Sequence, residues 1–319
     1  MIAGLFLLLL AAMILPACNI QNNYLYFPSS HVPCEEVLKA NHLVLWPPSL
    51  KDYRGFVSVN KERPMKGTVI IFHGNAGTAA GRGFYVKELA SLGYRVLLAE
   101  YPAYGGRRGK LGEKVFVADA NETIRLAFEQ FGGPIFLMGE SLGCGVAAAA
   151  ARKTSVKIDA VILITPWDTL ASVAQSKFPF LPVRLFLTDE YNSVDNLKSF
   201  LGRIAIVGAE RDEIIPIKHA NELYRSLPSA RKRMWILKEA GHNDWPIHTD
   251  TPWWKELMQF ACTQSFQASL DAPRQTKYLP TPMRCSRLGD EVRQIIDGKA
   301  ILIRIESNKR PTVFGRKRR

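Results

Sequence analysis

Between residues 41 and 262, short apolar runs alternate with longer stretches of helical periodicity. HLVLW and RGFVSV read as an opening antiparallel hairpin. Six further runs follow: TVIIFHG (68–74), RVLLAEY (95–101), PIFLMGE (134–140), AVILITP (160–166), RIAIVGA (203–209) and RMWILKE (233–239). They are continuously apolar rather than alternating, as strands covered on both faces are. Helical periods fall between them at roughly 83–92, 114–131, 142–152, 216–227 and 251–262. The last has Thr251 placed to cap it, Pro252 at its first position, and Trp253, Trp254, Leu257, Met258 and Ala261 on one face. The order predicts an α/β fold, a mostly parallel central sheet with helices on both faces.

Segments outside this rhythm need separate readings. The interval 167–202 is too short for a large lid domain, so a short cap segment is expected there. Within it, FPFLPVRLFL (178–187) is expected to pack as a helix on the sheet, with an acyl-pocket lining as the alternative. Residues 1–18 carry no charge and hold about fourteen consecutive apolar positions, short of the ~17 to 25 that a spanning helix needs. That length suits a signal peptide. Leu15-Pro16-Ala17-Cys18 resembles a bacterial lipobox, which implies lipidation of Cys18 and an exported, membrane-associated protein. An uncleaved N-terminal anchor or a buried helix is the alternative. Residues 19–40 read as a linker and 263–319 as a basic C-terminal extension, in which EVRQII and KAILIRI flank the turn-forming pair Asp297-Gly298.

Charge changes this picture little. The formal net charge is +13, but residues 263–319 hold 13 Lys/Arg against 5 Asp/Glu and so carry +8 of it. The tail lacks the aromatic interleaving of a base-stacking platform, so nucleic acid is not an expected partner. A basic arm on a lipid-tethered chain would add attraction to anionic head groups. Five cysteines, Cys18, Cys34, Cys144, Cys262 and Cys285, include no C-x-x-C pair, and neither a metal nor a redox site is implied.

The chemistry is concentrated in Gly139-Glu140-Ser141-Leu142-Gly143. A strand that turns sharply into a helix lifts one side chain above the sheet edge when small residues flank it. Ser141 would then sit at a helix N-terminus, where backbone N–H groups favour developing negative charge. A serine hydroxyl needs a base, and the base an orienting carboxylate. Asp212 in GAERDEIIP and His242 in EAGHNDW follow buried strands in the required order, at the edge where open parallel sheets bind ligands. Asp168 and Asp244 are rival acids. His31, His42, His219 and His248 follow no buried strand as closely as His242 does. The loop His73-Gly74-Asn75-Ala76-Gly77 can aim the Asn75 N–H at an oxyanion, with the N–H of Leu142 as second donor. His73 is expected to hold that loop, and Cys144 to be a packing residue.

These motifs, FHGNA, G-x-S-L-G, G-x-x-x-D-x-x-I-P and G-H in order, resemble the α/β-hydrolase superfamily, near its small, lid-poor serine hydrolases. The resemblance covers residues 41–262. It implies an α/β-hydrolase fold, no cofactor, and cleavage of carboxylic esters or thioesters through an acyl-enzyme. The implied partner is a small acyl ester or acylated substrate; membrane association through the N-terminus is expected from residues 1–18, outside the resemblance. A serine peptidase on the same fold, or a non-catalytic surface binding protein, are the alternatives.

Overall fold

The computed structural model describes residues 21–59 and 64–262, together with the strand residues Arg287–Leu288, Glu291–Ile296 and Lys299–Arg304. The chain divides into two compact units, Met1–Leu270 and Asp271–Arg319. The first is built on eight strands: β1 (Leu43–Trp46), β2 (Gly55–Ser58), β3 (Thr68–Phe72), β4 (Arg95–Ala99), β5 (Ile135–Glu140), β6 (Ala160–Ile164), β7 (Arg203–Ala209) and β8 (Lys232–Leu237). Their spatial order is β1-β2-β4-β3-β5-β6-β7-β8. The β1–β2 and β2–β4 pairs are antiparallel and the rest parallel. The helices are α1 (Glu35–Ala40), α2 (Phe84–Ser91), α3 (Glu113–Phe131), α4 (Leu142–Lys153), α5 (Leu170–Lys177), α6 (Ser193–Leu197), α7 (Lys218–Ser226) and α8 (Thr251–Cys262).

Side chains of the central strands alternate between two buried layers, as a period of two requires. Ile70, Phe72, Leu97, Leu137, Val161, Leu163 and Ile206 meet α3, α4 and α7 on one face. Val69, Ile71, Val96, Leu98, Met138, Ile162 and Val207 meet α2 and α8 on the other. Because both faces are covered, the runs are apolar throughout. Trp254, Leu257, Met258 and Ala261 of α8 are buried as the periodicity predicts, but its cap is Asp250, whose Oδ1 accepts the Trp253 N–H at 2.9 Å. Thr251 instead turns its hydroxyl to Glu88.

The expectation for residues 178–187 is not met. Helix α5 stops at Lys177, and only a short 3-10 turn, Val183–Leu185, follows. Pro179 and Pro182 cannot supply the N–H groups that a continuing helix needs. Phe178, Phe180, Leu181, Leu185 and Phe186 are consequently exposed rather than packed on the sheet.

In the second unit, Arg287–Leu288, Glu291–Ile296 and Lys299–Arg304 form a three-stranded antiparallel sheet. Asp297-Gly298, Cys18 and Cys285 lie outside the described residues, as does the whole of 1–18. Among the described residues, Cys34 and Cys144 are free thiols.

Candidate active site

Ser141 stands between β5 and α4 with φ 54° and ψ −116°, a backbone state that a side-chain-bearing residue rarely adopts. The turn tolerates nothing larger than glycine two positions to either side of it. A Cβ on Gly139 would lie 2.3 Å from the Gly143 carbonyl oxygen, and one on Gly143 would lie 2.0 Å from that of Phe72. Cys144 also packs here, its thiol donating to the carbonyls of Gly139 and Ile164, and burial pushes that thiol well above its ordinary pKa. It is a packing residue, not a nucleophile.

Around the serine the structure assembles a relay. The Ser141 hydroxyl lies 3.0 Å from His242 Nε2, and His242 Nδ1 lies 2.8 Å from Asp212 Oδ2. All three side chains are buried. Asp212 is aimed by its other oxygen, which accepts the N–H groups of Ile214 and Ile215 at 3.0 and 2.7 Å. The Arg211 N–H to Ala240 carbonyl bond (2.8 Å) joins the acid loop to the histidine loop. Asp244, a rival acid in sequence, serves that second loop by accepting the Gly241 N–H.

The loop after β3 is held from several directions. His73 Nδ1 lies 2.8 Å from the Gly74 carbonyl and Nε2 lies 2.9 Å from Glu100 Oε1. A carbonyl only accepts, so Nδ1 carries a proton. The Gly74 carbonyl and the Asn75 N–H belong to one trans peptide and point oppositely, so His73 fixes the direction of the Asn75 donor. Gly74 lies against Ser141: a Cβ placed on it would sit 3.6 Å from that of Ser141. The Asn75 carbonyl is held by Tyr104 Oη (2.7 Å) and the Phe27 N–H (2.9 Å). Leu142 begins α4, and its N–H has no intrahelical partner.

The structure brings together Ser141, Asp212 and His242, which the sequence singled out, but their supports were not foreseen. Glu100, Arg82, Tyr104 and the segment around Phe27 were missed. Glu100 carries a readable signal, an acid ending the apolar run RVLLA, and it also accepts the Ala79 N–H. Arg82 pairs with Glu140, the neighbour of Ser141, at 3.0 Å, and Tyr85 donates to the same carboxylate. Burial opposes the charge on Arg82, but Glu140 outweighs it and raises the guanidinium pKa. Residues before β1 act as a strap. Phe27 and Pro28 pair with Ala76 and Gly77, while the Tyr26 phenol donates to Asp189.

A family model described as serine aminopeptidase S33 matches residues 63–187. An uncharacterized protein of Mycobacterium tuberculosis is 32% identical over 183 residues, spanning 55% of this chain and 63% of its own length. The lysophosphatidylserine lipase ABHD12 of Danio rerio is 29% identical over 176 residues, 49% of this chain and 46% of its own. The chain thus spans less than two thirds of either relative. The esterase Pf2001 of Pyrococcus furiosus superposes with a TM-score of 0.57 at 17% identity, over 74% of this chain and 96% of that one. Est1E of Butyrivibrio proteoclasticus, solved with ferulic acid, gives 0.55 at 17% identity, over 65% and 94%.

The chain has the α/β-hydrolase fold.

Within this fold the remaining candidates have other employment. Asp168 holds His219 at 2.8 Å, on the loop after β6, and Ser172 and Ser176 of α5 flank the same ring at 3.3 Å. Burial acts against the Asp168 carboxylate, yet its bonds to His219, Ser172 and the Thr169 N–H hold its pKa below the usual range. His248 faces Asp244 at 3.8 Å. Among the described residues no group of His, Cys, Asp and Glu could hold a metal. A cavity of about 530 Å³, lined by Arg152, Lys157, Asp159, Arg203 and Arg231, lies at the opposite end of β6 and β7 from Ser141.

Proposed function

We propose that the protein is a serine hydrolase that cleaves carboxylic esters or thioesters through an acyl-enzyme on Ser141. The observation that carries this reading is the unbroken chain Ser141 Oγ, His242, Asp212 at 3.0 and 2.8 Å. His242 Nε2 takes the hydroxyl proton as Oγ attacks the substrate carbonyl carbon. Asp212 keeps Nδ1 protonated and stabilises the imidazolium. The Asn75 and Leu142 amides receive the tetrahedral oxyanion. His242 then returns the proton to the departing alcohol or thiol, and water repeats the sequence to release the acid. Every step uses side chains and backbone of this chain, so no cofactor enters the proposal.

The lysophosphatidylserine lipase activity named for the Danio rerio relative makes acyl lipids the favoured substrate class. The description of the matched family names an aminopeptidase, which makes amide cleavage the second reading. Esters are preferred because the carboxylates beside the serine are already engaged, Glu140 by Arg82 and Asp212 by His242, leaving neither to bind a substrate ammonium. The proposed catalytic unit is residues 41–262, strapped by 19–40 and followed by the basic extension 263–319. Residues 1–18 are proposed to direct export and membrane association, with lipid on Cys18. Metabolic labelling with a palmitate analogue, lost in Cys18→Ser, tests the last point.

The hydrolase reading is tested with a fluorophosphonate probe on the wild type and Ser141→Ala, followed by esters of graded chain length and aminoacyl amides. Labelling that requires Ser141 and a preference for esters are expected. Ser141-independent labelling rejects the mechanism, and amide turnover without ester preference selects the peptidase.

A further inference from the structure

The segment between α5 and α6 leaves large apolar side chains in water. Phe180 is 97% exposed and Leu185 77%, with Phe178, Leu181 and Phe186 half-exposed beside them in sequence. Tyr24 is 73% exposed, and its ring meets that of Phe178 edge-on at 6.5 Å. Further exposed apolar groups sit on the loops that carry the relay: Ile214 two residues past Asp212, and Ile247 five past His242. All of these segments lie at the carboxyl edge of the sheet, the edge that holds Ser141. Apolar surface gathered this way marks an interaction site more often than it occurs idly.

The segment is fixed, not frayed. Gln175 Nε2 donates to the carbonyls of Phe178 and Pro179 at 3.1 and 3.0 Å, and Lys177 Nζ donates to that of Glu213 at 2.8 Å. At the other end Gln21 accepts the Thr188 N–H at 2.7 Å and donates to Asp189 at 2.7 Å. Backbone and anchors are satisfied while the apolar side chains are not.

Two observations select what covers them. From residue 170 to residue 187 the charged side chains are Lys177 and Arg184, both cationic. Arg184 is exposed in the middle of the patch and makes no ion pair among the described residues. A guanidinium ringed by Phe and Leu suits an interface where its stem lies among acyl chains and its head meets anionic phosphate. The second observation is where the chain enters. The uncharged apolar residues 1–18 lead into Gln21, which is bonded directly to the end of the patch at Thr188 and Asp189. A second copy on the same patch would instead bring two Arg184 side chains into one apolar interface.

We propose that Phe178, Phe180, Leu181, Leu185 and Arg184 dock on an anionic phospholipid surface, turning the Ser141 edge toward the bilayer so that an acyl substrate is drawn from it. The substrate half of this inference rests on the proposed ester hydrolysis; the docking half does not.

The test uses the full chain. Hydrogen exchange of peptides covering 178–187 is followed without vesicles, with phosphatidylcholine vesicles, and with vesicles containing one quarter phosphatidylglycerol. Uptake in 178–187 is expected to fall on the anionic vesicles, while peptides covering 216–227 stay unchanged. Association with vesicles without protection of 178–187 overturns the proposal. So does full protection in their absence, whether residues 1–18 or a second copy provides it. In the kinetic arm, Phe180→Ser with Leu185→Ser is expected to lose at least tenfold in kcat/KM on a vesicle-borne ester, with a soluble short-chain ester held within about twofold. Equal losses on both substrates would place the segment in the acyl pocket and refute docking. If no ester is cleaved by the wild type, the hydrolase reading fails while the exchange result stands.

Discussion

Replacing Asp212 with asparagine tests the relay through the position of a proton. Oδ1 of Asp212 receives two backbone N–H groups, from Ile214 and Ile215, at 3.0 and 2.7 Å, and Oδ2 faces His242 Nδ1 at 2.8 Å. An asparagine must keep its carbonyl oxygen toward the two donors, because the flipped amide would set its NH₂ against them. Its NH₂ therefore faces Nδ1, which has to accept. The ring proton moves to Nε2 and points at Ser141 Oγ, so the imidazole cannot take the serine proton. Losing the correct tautomer in such a relay lowers kcat about 10⁴-fold. That corresponds to about 5 kcal/mol of transition-state stabilisation. Asp168→Asn is the control: Asp168 bonds His219, not His242, so its kcat should stay within about threefold of wild type. Turnover of a soluble nitrophenyl ester, with circular dichroism to certify folding, decides between them. A folded Asp168→Asn that loses more activity than Asp212→Asn would refute the assignment.

Other outcomes follow from the supports of the site. Glu100→Gln loosens the hold of His73 on the Gly74 carbonyl and should lower kcat with KM nearly unchanged; the effect should stay within the roughly 10² to 10³-fold that loss of a whole oxyanion donor costs, as steady-state kinetics will show. Gly143→Ala puts a methyl 2.0 Å from a backbone oxygen and should cost more than about 3 kcal/mol in denaturant unfolding. The lowered pKa of Asp168 means that its bonds stabilise the fold above the unfolded value of 3.8 and cease to do so as pH falls through the lower folded value. Asp168→Asn should therefore lower Tm at neutral pH and flatten the acid limb of the Tm profile. Iodoacetamide at mildly alkaline pH should modify exposed Cys34 and leave Cys144 untouched until the protein unfolds, as peptide mapping can verify.

Much of this was legible in the sequence because the deciding interactions are local or periodic. Strands covered on both faces announce themselves as unbroken apolar runs, and Gly139 and Gly143 reveal the tight turn that their neighbours impose. The order of Ser141, Asp212 and His242 at strand ends suffices to gather them, since the parallel sheet brings those ends to one edge. What stayed hidden depends on distant partners. Nothing near Phe27 announces its bond to Asn75, 48 residues away in the chain, and nothing near Asp168 points to His219 rather than to the relay. The apolar run 178–187 misleads for a physical reason: its composition says core, but Pro179 and Pro182 deny it the helix that would bury it. Thr251 likewise satisfies a capping pattern that Asp250, one residue earlier, fulfils.

The central claim is that Ser141 forms the covalent acyl intermediate with His242 as its base. Reaction with a slowly deacylating nitrophenyl ester, quenched during the burst and digested for mass spectrometry, reads this directly. One acyl group should appear on the peptide containing Ser141, and none in His242→Ala under the same conditions. An acyl group on another residue, or undiminished turnover by Ser141→Ala, would contradict the account.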